Sequence, residues 1–73
     1  MKAILEFNLD EERQQFEDAA NGWKWKCVIC ELDNELRART KYACDETPDE
    51  VVEALVKVRD FLRELLNEEG LIL

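Results

Sequence analysis

The chain has 73 residues, 47% hydrophobic and 38% charged, with a formal net charge of −8 and no histidine. It is long enough for a single small domain, 1–73, and one core. It is too apolar for a disordered chain and so short that only about 60% of the unfolded surface is buried on folding. Without imidazoles, acid–base chemistry falls to a carboxylate or lysine of displaced pKa. No nucleophile elbow, phosphate loop or metal–carboxylate pattern is present, so the chain reads as non-enzymatic, without cofactor or metal.

The charge is unevenly spread. Residues 1–20 carry −4, residues 21–44 carry +2 and residues 45–73 carry −6. Two acidic ends repel a phosphate backbone, which argues against general nucleic-acid binding. No apolar run reaches the length of about 18 residues that a membrane span needs. The opening Met1-Lys2-Ala3-Ile4-Leu5-Glu6 meets an acid before any signal-type apolar stretch develops, so a cytoplasmic location is expected.

In chain order, residues 2–9 alternate with period two. Ala3, Leu5, Phe7 and Leu9 share one face, which predicts a strand. A lone strand needs a partner, and the candidates are the tail Leu71-Ile72-Leu73 or the same strand of a second copy. A first helix is expected from Asp10 to Asn21, capped by Asn8 or Asp10, with Glu11 and Glu12 complementing the helix dipole. Asn21-Gly22 then supplies a turn or left-handed stop.

The second helix, Trp23 to Tyr42, has an expected buried seam of Trp25, Ile29, Leu32, Leu36 and Ala43. Asp33, Asn34, Glu35, Arg37 and Arg39 point away, with Asp33–Arg37 and Glu35–Arg39 as favourable (i, i+4) pairs. Trp23, Cys27 and Cys30 make a second apolar edge, so this helix should touch two neighbours. Residues 43–47 form the loop.

Thr47-Pro48-Asp49-Glu50 predicts a reciprocally capped helix start with Pro48 in the first turn. The third helix buries Val51, Leu55, Val58, Leu62 and Leu65, widened by Ala54, Phe61 and Leu66. Gly70 stops it in a left-handed conformation, with Leu71 folding back on Leu66. The expected fold is therefore mainly α: an N-terminal strand, three helices and a short C-terminal strand. The small core and the unmatched strand favour a homo-oligomer, most simply a two-fold dimer.

Several segments resemble a group of small phage-encoded proteins. They begin with Met1-Lys2-Ala3-x-x-x-Phe7-Asn8-Leu9-x-Glu11-Glu12-x-x-x-Phe16, followed by Leu32-Asp33-x-Glu35-Leu36-Arg37 and Lys41-Tyr42. Glu53-Ala54-Leu55-x-x-Val58-Arg59-Asp60 and Leu65-Leu66-Asn67-Glu68-x-Gly70-Leu71 complete the set. The resemblance spans nearly the whole chain, but its motifs are helix and turn signals. It implies a phage or prophage origin and expression in the host bacterial cytoplasm, and it brings no residue role with it.

Cys27-Val28-Ile29-Cys30 has the spacing of metal and redox sites. It lies within a predicted helix, however, and Cys44 and Asp45 make a poor completion of a zinc set, so buried free thiols are expected. The constellation with binding potential is Trp23, Trp25 and Tyr42 among Lys24, Lys26, Arg37, Arg39 and Lys41. Aromatic faces there could stack on a base while cations hold phosphate; the competing reading is two core tryptophans surrounded by lysine stems.

Three functions follow. The first is an accessory, anti-defence protein that binds and inhibits a host protein through its acidic faces. The second is an oligomeric sponge for a nucleotide-like immune signal held by Trp23, Trp25, Arg37, Arg39, Lys41 and Tyr42. The third is a structural or regulatory role in the phage cycle.

Overall fold

The computed structural model describes residues 1–73. Its elements are α1 (Leu9–Ala20), α2 (Gly22–Lys41) and α3 (Asp49–Glu68), and it contains no β-strand.

The packed unit is a two-helix hairpin. The connection at residues 42–48 returns α3 antiparallel to α2, and α1 touches only α2, at their junction. A 20-residue helix is about 30 Å long, whereas the molecule extends 54 Å along its principal axis. α1 therefore projects beyond the hairpin, and the three helices do not share a core as the sequence reading expects. The radius of gyration is 17.5 Å, against about 11 Å for a compact domain of this length.

The expected N-terminal strand is absent, and residues 1–8 adopt no regular structure. Their period-two pattern is real, but no second strand is within reach to pair its backbone groups. The segment instead serves α1. Asn8 Oδ1 accepts from the amide of Asp10 at 3.1 Å, and the amide of Asn8 donates to Glu12 Oε1 at 3.2 Å. The Phe7 ring sits edge-on to Phe16, with centroids 6.1 Å apart. Two reciprocal caps and an aromatic clasp fix the chain's approach to the helix.

The C-terminal strand is absent as well. Gly70 has φ +68°, the only positive φ in the chain. The amide of Leu71 donates to Leu66 O at 2.8 Å, and that of Gly70 donates to Asn67 O at 3.0 Å. This pair of bonds is the Schellman arrangement. It turns the tail back towards α2, where residues 71–73 line a hollow with Trp25, Ile29 and Leu66.

Two other local expectations give way. Gly22 opens α2 instead of making a left-handed stop, because Asn21 near φ −95°, ψ 2° changes the chain's direction by itself. The capping box at Thr47 does not form. Pro48 is the N-cap residue of α3, one position later than expected, and no side chain caps that end. The Thr47 amide donates to Cys44 O in the preceding turn.

The seam between α2 and α3 follows a heptad rhythm on both helices. Ile29, Asp33, Leu36, Thr40 and Ala43 face Val52, Leu55, Arg59, Leu62 and Leu66, and these are the best-covered positions of the hairpin. Only Leu36 and Asp33 are fully buried, each about 6% exposed. The expected seam is thus rotated: Trp25 and Leu32 are exposed, and Asp33 and Thr40 take their side of the helix. The polar members are satisfied. Thr40 Oγ1 donates to Leu36 O at 2.9 Å and Arg37 O at 3.1 Å, and Asp33 is paired across the seam.

Replacing Gly70 with Ala should destabilise the chain by about 1 kcal/mol in urea titration, the cost of a left-handed conformation for a residue with a Cβ. A Cβ there meets no atom within 4 Å, so the cost is conformational, not steric. Leu36→Ala should cost about 2–3 kcal/mol as the one apolar side chain fully inside the seam.

Candidate functional site

α2 carries five of the six residues that the sequence marks for ligand binding, with Tyr42 as its C-cap, and its helical geometry separates them. Trp23 and Trp25 stand at its N-terminal end, while Tyr42 caps its C-terminal end. At 1.5 Å per residue, Trp25 and Tyr42 are about 25 Å apart. No single small molecule spans that distance within one chain.

Both tryptophans and Tyr42 are exposed; Trp25 keeps 64% of its surface. The tryptophans are therefore not core residues with lysines wrapped around them. Lys24 Nζ lies 5.8 Å from the Trp23 ring centroid in a cation–π contact at the surface. Trp25 borders a hollow of about 270 Å³ closed by Ile29, Leu66 and the tail residues Leu71 to Leu73. That hollow is lined almost wholly by carbon, with Lys26 at its edge.

The cations are also divided. Arg39 is bound by its own helix, Nε donating to Glu35 Oε1 at 2.7 Å. This is the expected (i, i+4) pair, worth about 0.3 kcal/mol at such exposure. Arg39 and Tyr42 border an open hollow of about 320 Å³ at the loop end, together with Ala38, Thr47, Val51 and Leu55. Arg37 and Lys41 follow the seam positions Leu36 and Thr40 by one residue, a rotation of about 100°. They line neither hollow.

The three thiols are not paired with one another and, against expectation, they are not buried. Cys27 and Cys44 are exposed and Cys30 is half-buried. No three thiol or carboxylate side chains converge as a metal-ligating cluster.

The strongest electrostatic feature is one the sequence reading placed on the solvent side. Asp33 is held by two arginines from α3. Arg59 Nε donates to Oδ1 at 3.0 Å and its Nη2 to Oδ2 at 3.4 Å, a two-pronged grip, and Arg63 Nη2 donates to Oδ2 at 3.1 Å. No Asp33–Arg37 pair forms. The Arg59 hydrogen bond, reinforced by the charges of both guanidiniums, holds the Asp33 carboxyl below its ordinary value of 3.8 against the opposing effect of burial. The same bond raises the Arg59 guanidinium further above its usual range. Every oxygen of this carboxylate is engaged, so the cluster is a clasp between helices and offers no free acid or base. A signal for it was present in the sequence: Asp33 and Arg59 both fall on three–four spacings of seams that carry no other charged residue.

The pH dependence follows in sign. A carboxyl with a lowered folded pKa adds stability above about pH 4, and that stability is lost as pH falls through the folded value. Asp33→Asn should lower the urea midpoint at pH 7. It should also flatten the loss of stability between about pH 5 and pH 2 relative to the parent chain, as followed by helical circular dichroism.

No helix is long and apolar enough to cross a membrane. Compared with known proteins, the chain matches no family profile, no curated protein and no solved structure.

Proposed function

We propose that the chain is a phage accessory protein that acts by contact, using its acidic α1 arm to occupy a basic surface of a host protein and block it. The observation that carries this reading is the position of α1. Its 12 residues hold Asp10, Glu11, Glu12, Glu17 and Asp18 against the single base Arg13, and the helix stands clear of α3.

A helix with that charge sets up a negative potential that attracts the basic surfaces built to bind nucleic acid or nucleotides. Its start is anchored by the Asn8 cap and the Phe7–Phe16 contact, and the arm is helical on both sides of a kink at Glu12 (φ −122°, ψ 30°) before it meets a partner. Preformed structure lowers the ordering cost of binding. The phage setting comes from the sequence resemblance alone, and host bacterial cytoplasm is the corresponding location.

The nucleotide-sponge reading is the weaker one. It needs Trp23, Trp25, Arg37, Arg39, Lys41 and Tyr42 around one ligand, and they lie at two ends and on different faces of α2.

The test is capture from host lysate at about 50 mM salt, followed by affinity measurement on the captured protein. Replacing Asp10, Glu11, Glu17 and Asp18 with their amides should weaken binding at least about tenfold, as should raising salt to about 0.5 M, where screening shortens to a few ångströms. A specific partner whose affinity ignores both changes would remove the arm from the mechanism. Calorimetric binding of nucleotides by the chain alone would favour the sponge.

A further inference from the structure

The chain exposes 6711 Å², whereas a folded monomer of its mass, 8.6 kDa, exposes about 4,700 Å² by the usual size scaling. The excess is about 2,000 Å² per chain, within the range that obligate dimers cover. Residues 1–8, α1 and the tail account for some of it, and within the hairpin most exposed apolar side chains lie on one side.

Each helix has a second stripe, one residue behind its seam. On α3 this stripe is Val51, Ala54, Val58, Phe61 and Leu65, apolar from end to end. Phe61 is 59% exposed and Val58 53%. On α2 it begins with Trp25, Val28 and Leu32, all exposed. A step of one residue turns a helix by 100°. In an antiparallel pair the same backward step brings both stripes to the same side. The opposite side, one residue ahead of the seam, carries Asn34, Arg37, Lys41, Glu53, Asp60 and Asn67. The hairpin is thus apolar on one broad face and polar on the other, the pattern of half a four-helix bundle.

We propose that this face is covered by a second copy of the chain, with α3 packed antiparallel on α3 of the partner about a two-fold axis near its middle, forming a four-helix bundle. The sequence of the stripe favours a copy of itself over an unrelated partner. Its first half is small, Ala54 and Val58, and its second half is large, Phe61 and Leu65. Running α3 antiparallel to itself sets small against large twice, once on each side of the axis, which is the self-complementarity that an isologous interface requires. No charged residue interrupts the stripe on α3. The α2 stripe flanks it with Trp25 and Leu32 and turns polar only at the Glu35–Arg39 pair. The acidic α1 arms lie outside the bundle, so the dimer presents two of them.

Light scattering and sedimentation of the full chain at 10–100 μM (roughly the range that resolves an obligate pair) should give twice the 8.6 kDa chain mass, with a melting temperature that rises with concentration. The double variant Val58→Glu, Phe61→Glu should weaken association at least about 100-fold, whether the separated chain stays helical or unfolds. Val56→Glu, on the polar side of the same helix, is the control and should remain dimeric. A helical wild-type monomer at 100 μM overturns the proposal. So does an oligomer that survives the double variant, or one that Val56→Glu disrupts equally.

Discussion

Three side chains decide how this molecule is put together: the Asp33 carboxylate on α2 and the Arg59 and Arg63 guanidiniums that grip it from α3. A two-helix seam of aliphatic residues alone could slide by a turn with little penalty. A buried carboxylate cannot. Shifting α3 by one layer would put Asp33 against Leu55 or Leu62 and strip it of its donors, and an unpaired buried charge is far costlier than a misplaced methyl group. The clasp therefore selects the register and the facing sides of the helices together. Once those are chosen, every other residue of the hairpin is assigned to the seam, the open apolar face or the polar face.

Two helices can hide very little. With Leu36 as the one fully buried apolar side chain, the hairpin lacks the core that would sustain a chain of this length by itself. The open face and the shortage of interior are the same fact viewed from two sides: the side chains that would build a core are present but point outward. A symmetric partner of the kind proposed above would supply the missing half without demanding any new sequence, because the stripe on α3 is complementary to itself. α1 packs only against α2 at their junction, which leaves most of its carboxylates exposed. Under the two proposals the apolar face would serve assembly and the acidic arm recognition.

The helical segments were largely legible along the chain. Asn8 caps α1 as its side chain suggests, and Gly70 adopts the left-handed turn with Leu71 bonded back to Leu66. The Glu35–Arg39 pair forms as its spacing implies. The two expected strands are absent for a common reason. An alternating pattern states which side chains could share a face, but says nothing about whether a second strand exists to receive the backbone hydrogen bonds. The candidate binding residues are near one another in sequence, but a 20-residue helix pulls such a group apart lengthwise and turns Arg37 and Arg39 to different sides.

By itself, the sequence determined where helices begin and end, that they are amphipathic, and that acid is concentrated on the first helix and the last third of the chain. Those properties depend on neighbours within one or two turns, where capping, propensity and charge spacing act directly. Tertiary structure alone decided which of two adjacent stripes on α2 meets α3. The stripes differ by one residue and a rotation of about 100°, and both carry enough apolar side chains to serve. The choice is marked by an ion pair joining residues 26 positions apart, which can form only when the two helices meet with Asp33 turned towards α3.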